Sequence, residues 1–260
     1  MFTVHALTHP GLQRPSNEDA VLWEPELSLL VIADGMGGHN AGEVASRLAV
    51  DSIRAFFRKS VLDEAFTWPF GFDVEETVDA NRLMTAVKIA NGQVFRSADE
   101  HSDWVGMGTT VVAATLSGAR LTFASIGDSR LYLFDGADLR QMTRDDSWIA
   151  LLRDGAGVDD ESLSHNPMRH VLTNVVGIRP ELDVSTEAIR LLDGQIVVLS
   201  TDGLHELVGH DAIASAVRDA PTLEDTADRL LAAALSAGGS DNISVVLARF
   251  DAGVPRTRCR

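Results

Sequence analysis

The stretch VIADGMGGHNAGEVAS, residues 31–46, sets an apolar run against an acid and then a glycine-rich loop without lysine. Leu29 to Ala33 is continuously apolar, the pattern of a strand buried on both faces. Asp34 falls where that strand ends, and Gly35, Gly37 and Gly38 give the chain backbone angles that other residues avoid. From Asn40 the pattern turns helical, with Val44, Leu48, Ile53 and Phe56 at roughly helical spacing. An acid at a strand end, beside bare backbone, is suited to holding a hard cation.

The arrangement recurs along the chain. Asp128 follows LTFASIG, Asp202 follows IVVLST, and Asp241 immediately precedes NISVVL. Any one of these reads equally well as an ordinary turn residue. Together, four acids ending or opening hydrophobic strands predict carboxylates meeting at one sheet rim, where they repel unless cations lie between them. Oxygen ligands of this kind select Mg²⁺, Mn²⁺ or Ca²⁺. Upstream, RPSNED (14–19) offers the planar fork of Arg14, suited to phosphate oxygens, with Glu18 and Asp19 as further acids.

Composition narrows the classes. The 260 residues are 45% hydrophobic and carry a net charge of −16. That length supports one large core, and no Pro-, Ser- or charge-rich linker divides it. A single domain over 1–251 with a short basic tail, 252–260, is expected. So acidic a chain argues against a general nucleic-acid or anionic-membrane binder. Cys259 is the one cysteine, which excludes an internal disulfide and fits a reducing compartment. Neither a signal peptide nor a run of membrane-spanning length is visible. Cytoplasmic localisation is therefore expected.

Strand patterns occur at 4–8, 20–23, 28–33, 109–116, 120–126, 130–135, 195–200 and 242–250. The short turns at 117–118 and 127–128 predict an antiparallel meander across 109–135. Helical patterns cover 40–58, 77–97, 148–153, 211–219 and 222–236. Strands packed in sheets with helices outside fit this order.

The set RPSNED, ADGMGGHNAGEVAS, GMGTT (106–110), IGDSRLYLF (126–134), STDGL (200–204) and SDNISVVL (240–247) resembles, in order and spacing, the metal-dependent type 2C-like (PPM) serine/threonine protein phosphatases. The DGMGGHNAGE form is similar to the bacterial branch. The resemblance implies an α+β, four-layer α-β-β-α sandwich of two antiparallel sheets flanked by helix pairs, with a flap near residues 143–180. It implies two core Mg²⁺ or Mn²⁺ ions and a third, weaker one. Asp34 matches the acid bridging two metals, and Gly35 the residue whose carbonyl binds one of them. Asp202 and Asp241 match the remaining ligands of the first metal. Asp128 matches an acid that, with Asp202, holds the third. Asp19 and Glu18 match acids that steady metal-bound waters, and Arg14 matches the phosphate clamp. The implied reaction is attack of a metal-activated water on phosphoserine or phosphothreonine in proteins. The implied setting is a monomer opposing a bacterial serine/threonine kinase. In the flap, TRDDSWIALLRDG (143–155) matches, whereas HVLTNVVG (170–177) is looser, which touches substrate preference rather than chemistry.

Other residues have two readings. His39 stands near Asp34, either as a general acid or as a polar residue at the helix start, where Asn40 is the better N-cap. Thr109 and Thr110 read as strand formers. Arg130 reads as the partner of a structural acid. Ser129 and Ser200 lie beside acids with no Ser-His-Asp spacing. A pseudophosphatase would lack one of Asp34, Asp202 or Asp241, and all three are present. A haloacid-dehalogenase-type esterase needs D-x-D, and Met36 stands where its second acid would be. A calcineurin-like enzyme needs G-N-H-E, which is absent.

Overall fold

The computed structural model describes residues 1–38, 41–63, 66–156, 168 and 171–253. His39, Asn40, the middle of the flap and Cys259 lie outside the described residues.

Eleven strands form two antiparallel sheets among the described residues. The first carries β1 (Phe2–His9), β11 (Ile243–Phe250), β10 (Ile196–Ser200), β7 (Arg130–Phe134) and β8 (Leu139–Gln141), in that spatial order. The second carries β2 (Asp19–Glu24), β3 (Leu29–Met36), β5 (Val111–Ser117), β6 (Arg120–Ile126) and β9 (Glu187–Arg190), with the short β4 (Gly108–Thr109) paired to β3. Helices α1 (Ala41–Leu62) and α2 (Val78–Glu100) cover the second sheet. Helices α4 (Asp202–Val208), α5 (His210–Asp219) and α6 (Leu223–Ser236) cover the first, and α3 (Trp148–Ala156) lies in the flap.

Why β3 reads as an unbroken apolar run is visible in its two faces. Leu30 and Ile32 enter the layer between the sheets, against Leu131, Leu133, Val197 and Leu199. Leu29, Val31 and Ala33 enter the layer under α1 and α2. Successive side chains of a strand alternate faces, and here both faces are covered. Strand β11 does the same, with Val245 and Leu247 toward α4–α6 and Val246 and Ala248 between the sheets. The expected four-layer α-β-β-α sandwich is the fold observed.

One local expectation differs. Strands β6 and β7 form no hairpin: β6 pairs with β5 and β9, whereas β7 pairs with β10 and β8. The chain crosses between sheets at 127–129, where Gly127 adopts φ +93°. Asp202, which alone reads as an ordinary turn residue, lies in the first turn of α4, with Thr201 at the N-cap position. An acid there is favoured by the helix dipole.

A buried amide ties the far root of the flap to the sandwich. Asn91, on α2 and 1% exposed, donates through Nδ2 to the carbonyls of Arg179 (2.9 Å) and Pro180 (3.3 Å) and accepts from the Gly177 N–H (2.7 Å). Asn91→Ala leaves these backbone groups without partners. The expected cost is about 1–3 kcal/mol, which lowers the melting midpoint by roughly 2–12 °C in a domain of this size. A shift under about 1 °C in a thermal melt would refute this tether.

Candidate metal centre

The acids singled out in the sequence come from both sheets and gather along the rim where the sheets meet. Asp34 is the sixth residue of β3 and pairs in register with Asp19, the first residue of β2. Asp202 starts α4 directly after β10, Asp241 lies just before β11, and Asp128 occupies the crossover between β6 and β7. Asp19 is buried; Asp34, Asp128, Asp202 and Asp241 are half-buried, so they line a floor open to solvent.

Contacts join them across the seam. The carboxyls of Asp34 and Asp202, from different sheets, are near enough for Asp202 to oppose ionisation of Asp34. Asp19 Oδ2 accepts from Thr201 Oγ1 (2.9 Å) and Ser244 Oγ (2.6 Å), while its Oδ1 is buried with no hydrogen-bond partner. Thr201 spends its hydroxyl on Asp19 and on the Ser244 N–H, and so does not cap α4.

Glycines let backbone close in. A Cβ on Gly35 would lie 2.0 Å from the Gly42 carbonyl oxygen, and one on Gly203 would lie 2.0 Å from that of Asn242. Neither glycine has a positive φ. Their role is close approach, rather than the unusual backbone angle expected of Gly35. A Cβ on Gly42 would meet the Glu18 carboxyl carbon at 2.7 Å and the Gly35 carbonyl oxygen at 2.8 Å. Glu18 and the Gly35 carbonyl therefore converge on one point.

The electrostatics follow. Burial raises the Asp34 pKa well above the carboxylate range, and Asp19, Asp202 and Asp128 reinforce it. Burial pushes Asp128 up to about 7, with Asp202 and Asp145 adding to it. Asp19 also rises to about 7, mainly by burial, against the pull of Ser244 and Thr201. Glu18 rises through burial despite Arg14. Arg14, half-exposed, donates from Nη2 to Asp241 Oδ2 at 2.6 Å. Its loop is held by Asn242, whose Nδ2 donates to the Pro10 and Ser16 carbonyls and whose Oδ1 accepts the Glu18 N–H.

Among the described residues, no three Asp, Glu, His or Cys side chains are gathered closely enough to hold a metal ion by themselves. An open set of carboxylates and one carbonyl suits Mg²⁺ or Mn²⁺, since Mg²⁺ keeps several waters and takes only one or two carboxylates. The oxygen-only donors, the partnerless oxygen of Asp19 and the like-charge crowding all fit such ions.

Arg130 forks onto Asp145, with Nη2 at 2.6 Å from Oδ2 and Nε at 2.9 Å from Oδ1. It therefore pairs with a structural acid, as expected. Ser200 Oγ lies 2.9 Å from His205 Nδ1. Burial, then the Arg130 charge, holds the His205 pKa well below its usual value. No carboxylate partner of His205 is seen among the described residues, and the pair is no triad. Sequence reasoning missed Thr110, Thr201, Ser244 and Asn242. The one available signal was polar residues placed next to the strand-end acids.

Comparison with known proteins agrees with this geometry. Residues 13–247 match the profile of the family described as protein phosphatase 2C. The serine/threonine phosphatase stp of Listeria monocytogenes is 31% identical over 228 residues, covering 86% of this chain and 84% of that protein. The crystal structure of the Mycobacterium tuberculosis serine/threonine phosphatase PstP/Ppp superposes with a TM-score of 0.82 at 33% identity, covering 96% of this chain and 99% of that one. The catalytic domain of PstP in complex with two manganese ions is 32% identical with a TM-score of 0.79, covering 95% of this chain and 97% of that one. The chain belongs to the protein phosphatase 2C family. It is a metal-dependent protein serine/threonine phosphatase of the bacterial PPM kind.

The raised carboxyl pKa values predict an acid-favouring stability profile without metal. A folded-state pKa above the unfolded value gives stability that is full below about pH 4 and lost as pH rises through about 7, the value for Asp128. Asp128→Asn should therefore raise the melting midpoint of the metal-stripped protein at pH 8, by several degrees, and raise it distinctly less at pH 5. Equal effects at both pH values in a thermal melt would refute the repulsion.

Proposed function

We propose that the chain hydrolyses phosphoserine and phosphothreonine in phosphoproteins, with Asp34, Gly35, Asp202 and Asp241 holding two Mg²⁺ or Mn²⁺ ions. Asp128, with Asp202, holds a third and weaker ion, and Asp19 and Glu18 orient the waters around them. The observation that carries this reading is the crowding of the Asp34 carboxyl by Asp19, Asp202 and Asp128, beside the partnerless Asp19 oxygen. Acids crowded in this way require either protons or cations at neutral pH. When bound, such ions lower the pKa of water and neutralise charge on a phosphoryl group.

The chain's own groups do the rest. Asp19, fixed by Thr201 and Ser244, turns its free oxygen to accept a hydrogen bond. Arg14 binds phosphate oxygens through its fork, which offsets charge as the phosphoryl group transfers. That guanidinium also donates to Asp241, which ties the phosphate clamp to one of the metal acids.

The wider reading is a single domain over residues 1–251, monomeric, cytoplasmic, opposing a bacterial serine/threonine kinase. The family match over 13–247 and the net charge of −16 support it. Among the described residues, no helix is long and apolar enough to cross a membrane.

Activity should vanish in excess chelator and return with Mn²⁺ or Mg²⁺. Asp34→Ala, Asp202→Ala and Asp241→Ala should each reduce turnover by several orders of magnitude while circular dichroism stays native. Near-normal turnover of Asp34→Ala would overturn the assignment.

Arg14 is distinguished from the metal acids by its own test. Arg14→Ala should lower kcat/KM roughly ten- to hundredfold, the worth of a charge-assisted contact. Metal affinity should be nearly unchanged, because Arg14 holds no metal in this reading. Arg14→Lys should recover only part of the loss, since a point charge cannot reproduce the fork. Steady-state kinetics with calorimetric metal titration separates these outcomes.

A further inference from the structure

Thr110 lies between β4 and β5, 4% exposed, outside the set of acids. Its backbone N–H donates to the Asp34 carbonyl at 2.8 Å, and its Oγ1 accepts the Asp34 N–H at 3.0 Å. Both main-chain polar groups of Asp34 thus meet this one residue. Thr109 Oγ1 adds a second donor to the Asp34 carbonyl, at 2.8 Å.

The same side chain reaches the crossover that carries Asp128. Thr110 Oγ1 lies 2.7 Å from Ser129 Oγ. On the other side of Asp128, a Cβ on Gly127 would lie 2.6 Å from the Thr110 methyl. Gly127, at φ +93°, thus packs directly on that methyl. One β-branched side chain therefore uses its hydroxyl on one neighbour of Asp128 and its methyl on the other. Asp34 sits on a strand of one sheet, whereas Asp128 sits on a link between sheets, and no ladder bond fixes their separation.

We infer that Thr110 is a positioning residue for the phosphatase reaction, its hydroxyl fixing Asp34 and Asp128 relative to one another. The inference rests on the reading of those two acids given above. Groups that hold a metal need their supporting hydrogen bonds, and removing such a support typically costs ten- to hundredfold in metal affinity or activity. A hydroxyl that accepts one hydrogen bond and shares another leaves both neighbours without that partner when it is deleted in place.

Thr110→Val and Thr110→Ser divide the two arms. Valine keeps the shape and the methyl but deletes the hydroxyl; serine keeps the hydroxyl but deletes the methyl. With Mn²⁺ titrated calorimetrically into metal-stripped protein and kinetics on a phosphothreonine peptide, Thr110→Val should weaken Mn²⁺ binding and lower kcat, each by about ten- to hundredfold. KM should stay within about threefold, because the residue does not touch substrate. Thr110→Ser should recover both quantities to within about threefold of the parent. If Thr110→Val does not fold, Ser129→Ala removes only the Asp128 side of the link and should weaken the lower-affinity Mn²⁺ step alone. The inference is overturned if Thr110→Val keeps parental Mn²⁺ affinity and kcat while merely melting earlier, or if Thr110→Ser is as impaired as Thr110→Val. It is likewise overturned if Ser129→Ala binds Mn²⁺ as the parent does. Asp34→Asn is the control: unaltered Mn²⁺ binding there refutes the metal reading itself, independently of Thr110.

Discussion

The carboxyls of Asp34 and Asp202 oppose each other across the seam between two sheets. Two like-charged groups are held this close at neutral pH only when a proton or a cation offsets their repulsion. Each acid enters from a different sheet, on β3 and at the start of α4, so the sheets must be locked together to keep them close. The lock is the apolar layer between them, in which Leu30, Ile32, Leu131, Leu199 and Val246 are fully buried. Crowding acids here is unfavourable at neutral pH, and packing elsewhere must offset it. That is the usual relation between a fold and its functional site.

The backbone solves the approach problem the same way in both sheets. In each, a glycine after the acid presses on a carbonyl: Gly35 on Gly42 and Gly203 on Asn242. A side chain at either place would push apart the elements that carry the acids. Polar side chains then pin the loops that no ladder holds. Asn242 ties down the loop bearing Arg14, and Thr201 with Ser244 orients Asp19. These are short, buried groups with all their contacts inside the protein. They give rigidity to a floor that is itself polar and open to water.

Much of this was legible in the sequence, for stated physical reasons. Strands covered on both faces leave continuous apolar runs, so β3, β10 and β11 stood out, and each led directly to an acid. The crossover at 127–129 did not stand out. A glycine-acid-serine turn looks the same whether the next strand folds back on β6 or leaves for another sheet. The choice is made by pairing of β7 with β10, some 66 residues further on, and local pattern does not carry it. Helix α4 has 7 residues, too few for a periodicity to show. Thr109 and Thr110 read as strand formers because β-branching explains them fully at the local level. Their grip on Asp34 exists only once β3 and β5 are side by side. Asn91 was invisible for the same reason, since its partners lie 86 to 89 positions away.

The described residues at the two ends of the flap are fastened to the strands and turns that carry the acids. At the near root, Arg130 forks onto Asp145, the Asp146 N–H donates to the Gly127 carbonyl, and Asp146 Oδ2 accepts the Gly127 N–H. The near root is therefore sewn to the crossover that carries Asp128. Cross-links from Trp148 to Val171 and from Thr173 to Asp146 close the two roots on each other. At the far root, Thr109 and Val176 exchange backbone hydrogen bonds, and Asn91 holds Gly177. Residues at these fastenings are bound to the same strands and turns that place Asp34 and Asp128. The stretch 170–177 therefore belongs, through Val171, Thr173, Val176 and Gly177, to the fastenings themselves.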